Sequence, residues 1–178
     1  MLVSGGESPK NILNKLNQIQ IDWNKVEIML SDERLVEKDH KFSNERNLKE
    51  NFFRNYAKNS KYKCIRDFDE EFDSIKVALI GFGLDGHFAS IFPYYLSDGA
   101  FMGLNSSPEI KKTIALGNPT VKRLTTNLKV FSSINNIFLI INSKEKFKIL
   151  KDAIHNEKLP LHYLLKLDTP RIYFVNDF

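Results

Sequence analysis

The sequence predicts an α/β domain, an open and mostly parallel sheet flanked by helices. Three observations lead there. Short apolar runs such as Val77–Ile80 and Ile137–Ile141 read as buried strands. Stretches with helical spacing alternate with those runs, the pattern of a largely parallel sheet. Three polar segments, Ser4 to Pro9, Ser31 to Arg34 and Gly81 to His87, each follow the end of an expected strand. In open α/β sheets, ligands bind at the carboxyl ends of the strands.

The elements follow in order. Leu2-Val3 closes a first strand, and Ser8-Pro9 starts a helix with Pro9 at its first position, where a missing N–H costs nothing. Ile12, Leu13, Leu16 and Ile19 continue at helical spacing. Val26–Leu30 is the next strand and ends at Ser31-Asp32-Glu33-Arg34. Ser43 can cap a helix whose Leu48, Phe52 and Phe53 face inward. Residues 72–80 lead into a third strand. Residues 94–112 read as irregular, and Thr113–Leu116 as a short strand. Residues 124–131 fit a strand or a helix, and periodicity does not decide. Ile137–Ile141 is a buried strand, and Lys144–Ile154 a helix with Phe147, Leu150 and Ile154 on one face. Pro160–Leu165 is a short helix and Arg171–Val175 a last strand.

Composition narrows the function classes. At 178 residues, 42% hydrophobic with 14 Phe, the chain makes one domain with a substantial core. No apolar run is long enough for a membrane span, and the first residues lack the pattern of a signal peptide. A single cysteine, Cys64, excludes an intrachain disulfide and fits a reducing cytoplasm. The formal charge of +4 favours phosphate groups without choosing a nucleic acid or a phosphorylated metabolite. The lysines are scattered among acids, as at Glu37-Lys38-Asp39, so no nucleic-acid partner and no membrane partner is expected.

The chemistry sits in the polar segments. Ser4-Gly5-Gly6 can turn backbone N–H groups toward an anion, with the Ser4 hydroxyl as a further donor. Asp32 and Arg34 offer a base and a planar guanidinium fork suited to phosphate. Gly81 to Gly86 matches G-x-G-x-x-G, but no strand ending in an acid follows about twenty residues on, so a dinucleotide site is not expected. His87 is the histidine set in a glycine-rich turn, and Asp85 two residues before it can fix its tautomer and raise its basicity. No second His or Cys stands at a metal-ligand spacing, so no metal site is expected. Arg123 is basic between apolar segments and alone says little.

In this order the segments resemble the 6-phosphogluconolactonase family, within the wider group that includes glucosamine-6-phosphate isomerase/deaminase. The stretches that carry the likeness are Ser4 to Pro9, Ser31 to Phe53 with Asp39, His40, Ser43 and Asn44, Phe72 to Pro93, Asn118 to Thr126, and the closing Leu159–Lys166 and Arg171–Asp177. The resemblance implies a Rossmann-like fold and cofactor-free hydrolysis of 6-phospho-D-glucono-1,5-lactone in the oxidative pentose phosphate pathway. It implies His87 as the base that activates water, with Asp85 orienting it. Ser4, Gly5, Gly6, Arg34 and Arg123 are expected to hold the phosphate, Asp32 to meet sugar hydroxyls, and N–H groups of the Gly83–His87 turn to face the oxyanion. Two alternatives stay open. The amino-sugar isomerases carry a glutamate shortly after the histidine, in a stretch resembling GHIAFNEP, where this chain has Ile91-Phe92. A phosphosugar-binding module without catalysis is the other. The family's usual strand and helix before the first glycine loop are expected to be missing, and Phe88 stands where the family more often has Thr.

Overall fold

The computed structural model describes residues 1–69 and 71–177. Its strands are β1 (Leu2–Val3), β2 (Glu27–Leu30), β3 (Asp32–Arg34), β4 (Lys61–Lys63), β5 (Val77–Gly81), β6 (Ile110–Lys112), β7 (Arg123–Thr126), β8 (Asn136–Ile141) and β9 (Arg171–Asn176). Its α-helices are α1 (Lys10–Leu16), α2 (Asn44–Asn51), α3 (Gly99–Met102), α4 (Leu128–Ser132), α5 (Lys144–Ala153) and α6 (Pro160–Leu165). Six strands form a sheet in the order β4-β2-β1-β5-β8-β9, with every neighbouring pair parallel. Leu2, Val3, Ile28, Leu30, Ala78 and Ile80 are fully buried, as strands covered on both faces must be. The chain order runs outward in both directions from the β1–β5 pair. The loops leaving those two strands therefore open a crevice at the point where the strand order reverses.

A second sheet, antiparallel, has the order β3-β7-β6 and pairs Asp32 with Thr125 and Arg34 with Arg123. The Asp32-Glu33-Arg34 segment, expected as a loop, is thus a strand. It has no apolar alternation because it is short and faces a polar cavity. Residues 124–131 prove to be both alternatives in turn. β7 runs to Thr126, Asn127 accepts from the Val130 N–H as an N-cap, and α4 follows. The strand expected at Thr113–Leu116 lies a few residues earlier, at β6, though Thr113 still donates its N–H to Arg123 O at 2.8 Å.

Other boundaries hold. Ser43 caps α2 by accepting from the Arg46 N–H. Leu48 and Phe52 are buried below it, and Phe53 packs at the margin of the core. Pro9 sits at the cap position of α1, one residue earlier than expected. β4 was not expected, because Lys61-Tyr62-Lys63 is a charged edge strand rather than an apolar run. In α5 only Leu150 and Ala153 are buried. Phe147 and Ile154, expected on the inner face, are 42% and 47% exposed. Among the described residues no helix is long and apolar enough to cross a membrane.

Candidate active site

The first loop is stitched to the third by Ser4. Its N–H donates to Leu79 O at 3.0 Å, and its Oγ accepts from the Gly81 N–H at 3.1 Å. The hydroxyl proton stays free to donate. Asn47 Nδ2 donates to Gly5 O at 2.6 Å and holds the loop carbonyls toward α2. Gly6 borders open space, whereas Gly5 packs against Asn44 and Leu30.

The small sheet supplies the charges. Asp32 is buried, and its carboxylate accepts from Ser90 Oγ at 2.6 Å and Ser31 Oγ at 3.3 Å. Glu33 turns away from the crevice and caps α2, accepting from the N–H groups of Asn44 (2.8 Å) and Glu45 (2.7 Å) and from Ser43 Oγ. Burial pushes its carboxyl above the ordinary value, against the pull of its backbone donors. Arg34 donates through Nη1 to Phe42 O and Asn44 Oδ1, and its buried Nε has no partner. Arg123 is 4% exposed, donates through Nη2 to Pro119 O at 3.0 Å, and also has a buried Nε without a partner. Burial and the nearby Arg34 charge pull its guanidinium below its ordinary value, against the opposing effect of Asp32. Two arginines stand directly opposite one another on β3 and β7. Like charges so placed destabilise a sheet.

The third loop carries the imidazole. His87 Nδ1 lies 2.5 Å from Asp85 Oδ1. The Asp85 carboxylate can only accept, so Nδ1 donates to it, and in the neutral tautomer this leaves the lone pair on Nε2. Burial alone would raise the Asp85 carboxyl, but the hydrogen bond and charge of His87 outweigh it and hold it below its ordinary value. Gly83 makes the turn fit. A Cβ there would overlap the His87 ring and stand 2.6 Å from Asp85 Oδ1. The N–H groups of Gly83, Gly86 and His87 are spent inside the turn, on His87 O, Gly83 O and Asp85 Oδ1. The expectation that this turn presents its N–H groups outward is therefore corrected for these three. Ala89, just past the turn, holds φ at +47°, a strained value for a side chain with Cβ.

The three loops meet around one cavity of about 290 Å³, near the lower bound for ligand clefts. Ser4, Gly6, Asp32, Arg34, His87 and Arg123 all line it. Gly5 lies behind the lining, and Asp85 reaches it through His87. Sequence reasoning missed Asn44 as a cavity wall and Lys146 altogether. Lys146, in the first turn of α5, lines the cavity and donates to Ser8 Oγ at 2.6 Å. Burial lowers its ammonium. Its only sequence signal was a lysine beginning a helix after a buried strand, which is common on surfaces. A larger cleft of about 470 Å³ lies at the amino ends of the strands, and its walls include Trp23, Ile28 and Phe68. Among the described residues no group of His, Cys, Asp and Glu is placed to hold a metal ion.

Residues 1–171 match the family described as glucosamine-6-phosphate isomerases/6-phosphogluconolactonase. The chain belongs to this family. It is 30% identical over 182 residues to the 6-phosphogluconolactonase of Thermotoga maritima, covering 92% of this chain and 78% of that protein. It is 29% identical over 195 residues to the 6-phosphogluconolactonase of Helicobacter pylori strain J99, covering 98% and 82%. The crystal structure of the Thermotoga maritima lactonase superposes with a TM-score of 0.80 at 26% identity, covering 98% of this chain and 84% of that one. A 6-phosphogluconolactonase from Shewanella baltica gives 0.82 at 24% identity, with coverage of 98% and 82%, a likeness of fold. The parallel sheet with its crevice at the strand-order reversal is the fold of these family members.

Proposed function

We propose that the chain hydrolyses 6-phospho-D-glucono-1,5-lactone to 6-phospho-D-gluconate, a step of the oxidative pentose phosphate pathway. The observation that carries this reading is one cavity lined both by His87, which is paired with Asp85, and by the facing Arg34 and Arg123 of β3 and β7. An ester carbonyl needs an activated water, and a distant phosphate needs cations.

His87 Nε2 takes a proton from water as the water oxygen bonds to C1. Asp85 accepts from Nδ1–H and stabilises the imidazolium that forms. The tetrahedral adduct collapses, the bond from C1 to the ring oxygen breaks, and that oxygen takes the proton back from Nε2. Arg34, Arg123 and Lys146 hold the phosphate with Ser4 and the Gly5-Gly6 loop. Asp32 meets a sugar hydroxyl. Its two hydroxyl donors leave it capacity to accept another. The isomerase alternative lacks support, because Ile91 and Phe92 are apolar and buried where that chemistry places a further carboxylate. The free thiol of Cys64 supports a cytoplasmic setting.

The test is turnover of freshly made lactone above its spontaneous rate, run beside an amino-sugar deaminase assay. His87→Ala is expected to lower kcat about 10²–10⁴-fold with little change in product affinity. Equal losses in both would make His87 a structural residue and remove the proposed base.

A further inference from the structure

One ring touches both working ends of the cavity. Phe92 is 5% exposed and does not line the cavity. Its ring centroid lies 4.7 Å from that of the His87 imidazole, the planes tilted by 35°. The Arg123 guanidinium carbon stands over the same ring, 5.3 Å from its centroid. Gly117 holds φ at +76°, and a Cβ there would come within 2.8 Å of Phe92 Cζ and 2.9 Å of Arg123 Nη2. Gly117 thus leaves room for the ring and the guanidinium where a side chain would not. Behind the ring stand Tyr95 and Phe101, stacked on one another at 3.8 Å, which anchor the Phe92 cluster to the fold.

Asp85 fixes one edge of the imidazole, but a single hydrogen bond leaves the ring free to rock about that bond. The Phe92 face removes this freedom. Arg123 has the complementary need. Its guanidinium donates to Pro119 O and its Nε has no partner among the described residues, so the ring quadrupole adds to its attraction and its aim. We propose that Phe92 is a positioning residue for both ends of the reaction, holding the His87 imidazole against C1 and the Arg123 guanidinium against the phosphate at a fixed separation. The inference rests on the lactonase reading and deepens it. The substrate length that the cavity accepts is set by one aromatic side chain that never touches the substrate.

The test compares Phe92→Leu with Phe101→Leu, in steady-state hydrolysis of fresh 6-phosphogluconolactone and in binding of 6-phosphogluconate. Phe101→Leu removes aromatic packing from the same cluster without touching His87 or Arg123. Phe92→Leu is expected to lower kcat about tenfold and to raise KM and the product dissociation constant about tenfold, since small misplacements of reacting groups are costly. Phe101→Leu is expected to leave both within about twofold while losing melting temperature. Phe92→Met, which fills more of the ring volume without its π face, carries the same expectation as Phe92→Leu if the latter folds poorly. Equal effects of the two sites on kcat and KM, or a loss confined to kcat or to KM, would overturn the proposal. A wild-type protein that does not hydrolyse the lactone would instead overturn the reading beneath it.

Discussion

Arg123→Met isolates the anion grip, because the structure makes opposite demands on that residue. In the free protein the guanidinium gains one charged hydrogen bond to Pro119 O, worth about 1.5–3 kcal/mol, and a contact with the Phe92 face worth about 0.5–2 kcal/mol. Against these stand a buried Nε without a partner, costing about 1–3 kcal/mol, and a like charge directly opposite, costing about 0.2–1 kcal/mol. The midpoints of the two sides differ by about 1 kcal/mol, so the expected net effect is within about 2 kcal/mol. A flexible apolar side chain of similar length then leaves the unliganded melting temperature within about 4–8 °C of wild type. Ligand binding has no such cancellation. Losing one charge-assisted contact to phosphate weakens product binding about 10–100-fold. The assay is thermal melting with and without 6-phosphogluconate at about 100 times the wild-type dissociation constant. Wild type gains about 2.7 kcal/mol there, and a variant binding 100-fold more weakly gains about 0.4 kcal/mol. The ligand-induced shift of several degrees therefore shrinks to about one. A variant that melts far below wild type without ligand, yet keeps the full ligand-induced shift, would show that Arg123 is a structural cation and refute the reasoning.

Gly83→Ala places a methyl group against the His87 ring and 2.6 Å from Asp85 Oδ1, so kcat is expected to fall at least tenfold while product binding changes less, read by initial rates and calorimetry. Asp85→Asn removes the acceptor that fixes the imidazole tautomer and is expected to lower kcat about 10²-fold or more. The Asp85 carboxyl is held below its ordinary 3.8 in the folded protein, so its stabilising contribution is complete above that value. The melting difference between wild type and Asp85→Asn is therefore expected at pH 7 and to close as pH falls through the lowered native value. A difference that grows on acidification would contradict the pairing. Lys146→Met is expected to weaken 6-phosphogluconate binding about tenfold with kcat at saturation unchanged, since the ammonium faces the cavity but is held by Ser8 rather than by the catalytic pair.

What was legible in the sequence follows periodicity. The buried strands Val77–Ile80 and Ile137–Ile141 announce themselves because strands covered on both faces must be continuously apolar. The glycine turn around His87 is legible for a related reason, since a Cβ at Gly83 has nowhere to go. The small antiparallel sheet was not legible. Its strands are three or four residues long, and Asp32, Arg34 and Arg123 give it no alternation, because its inner face meets a polar cavity rather than a core. Glu33 could not be told from its neighbours, although it is the residue of the three that turns inward to cap α2. Lys146 is hidden for the opposite cause. A lysine in the first turn of an amphipathic helix reads as solvated, and only the packing of α5 beside the first loop puts it at the cavity.

The two sheets divide the labour of the site, and that division explains why its functions should separate under mutation. The parallel sheet contributes the Ser4 loop and the His87 turn from adjacent strands, β1 and β5, locked together by the Ser4–Gly81 hydrogen bond. The antiparallel sheet contributes Asp32, Arg34 and Arg123 from β3 and β7. Ser90 ties the two bodies. Its N–H donates to Thr125 Oγ1 at 3.0 Å, and its Oγ donates to Asp32 at 2.6 Å, three residues after His87 and next to the strained Ala89. Strain at Ala89 persists because these buried bonds over-determine the backbone around it. These backbone ties hold the two sheets in place, and within that frame the Phe92 ring packs against both the imidazole and the guanidinium. A substrate whose carbonyl and phosphate are spaced differently from those of a six-carbon lactone phosphate meets one end of the site or the other, but not both.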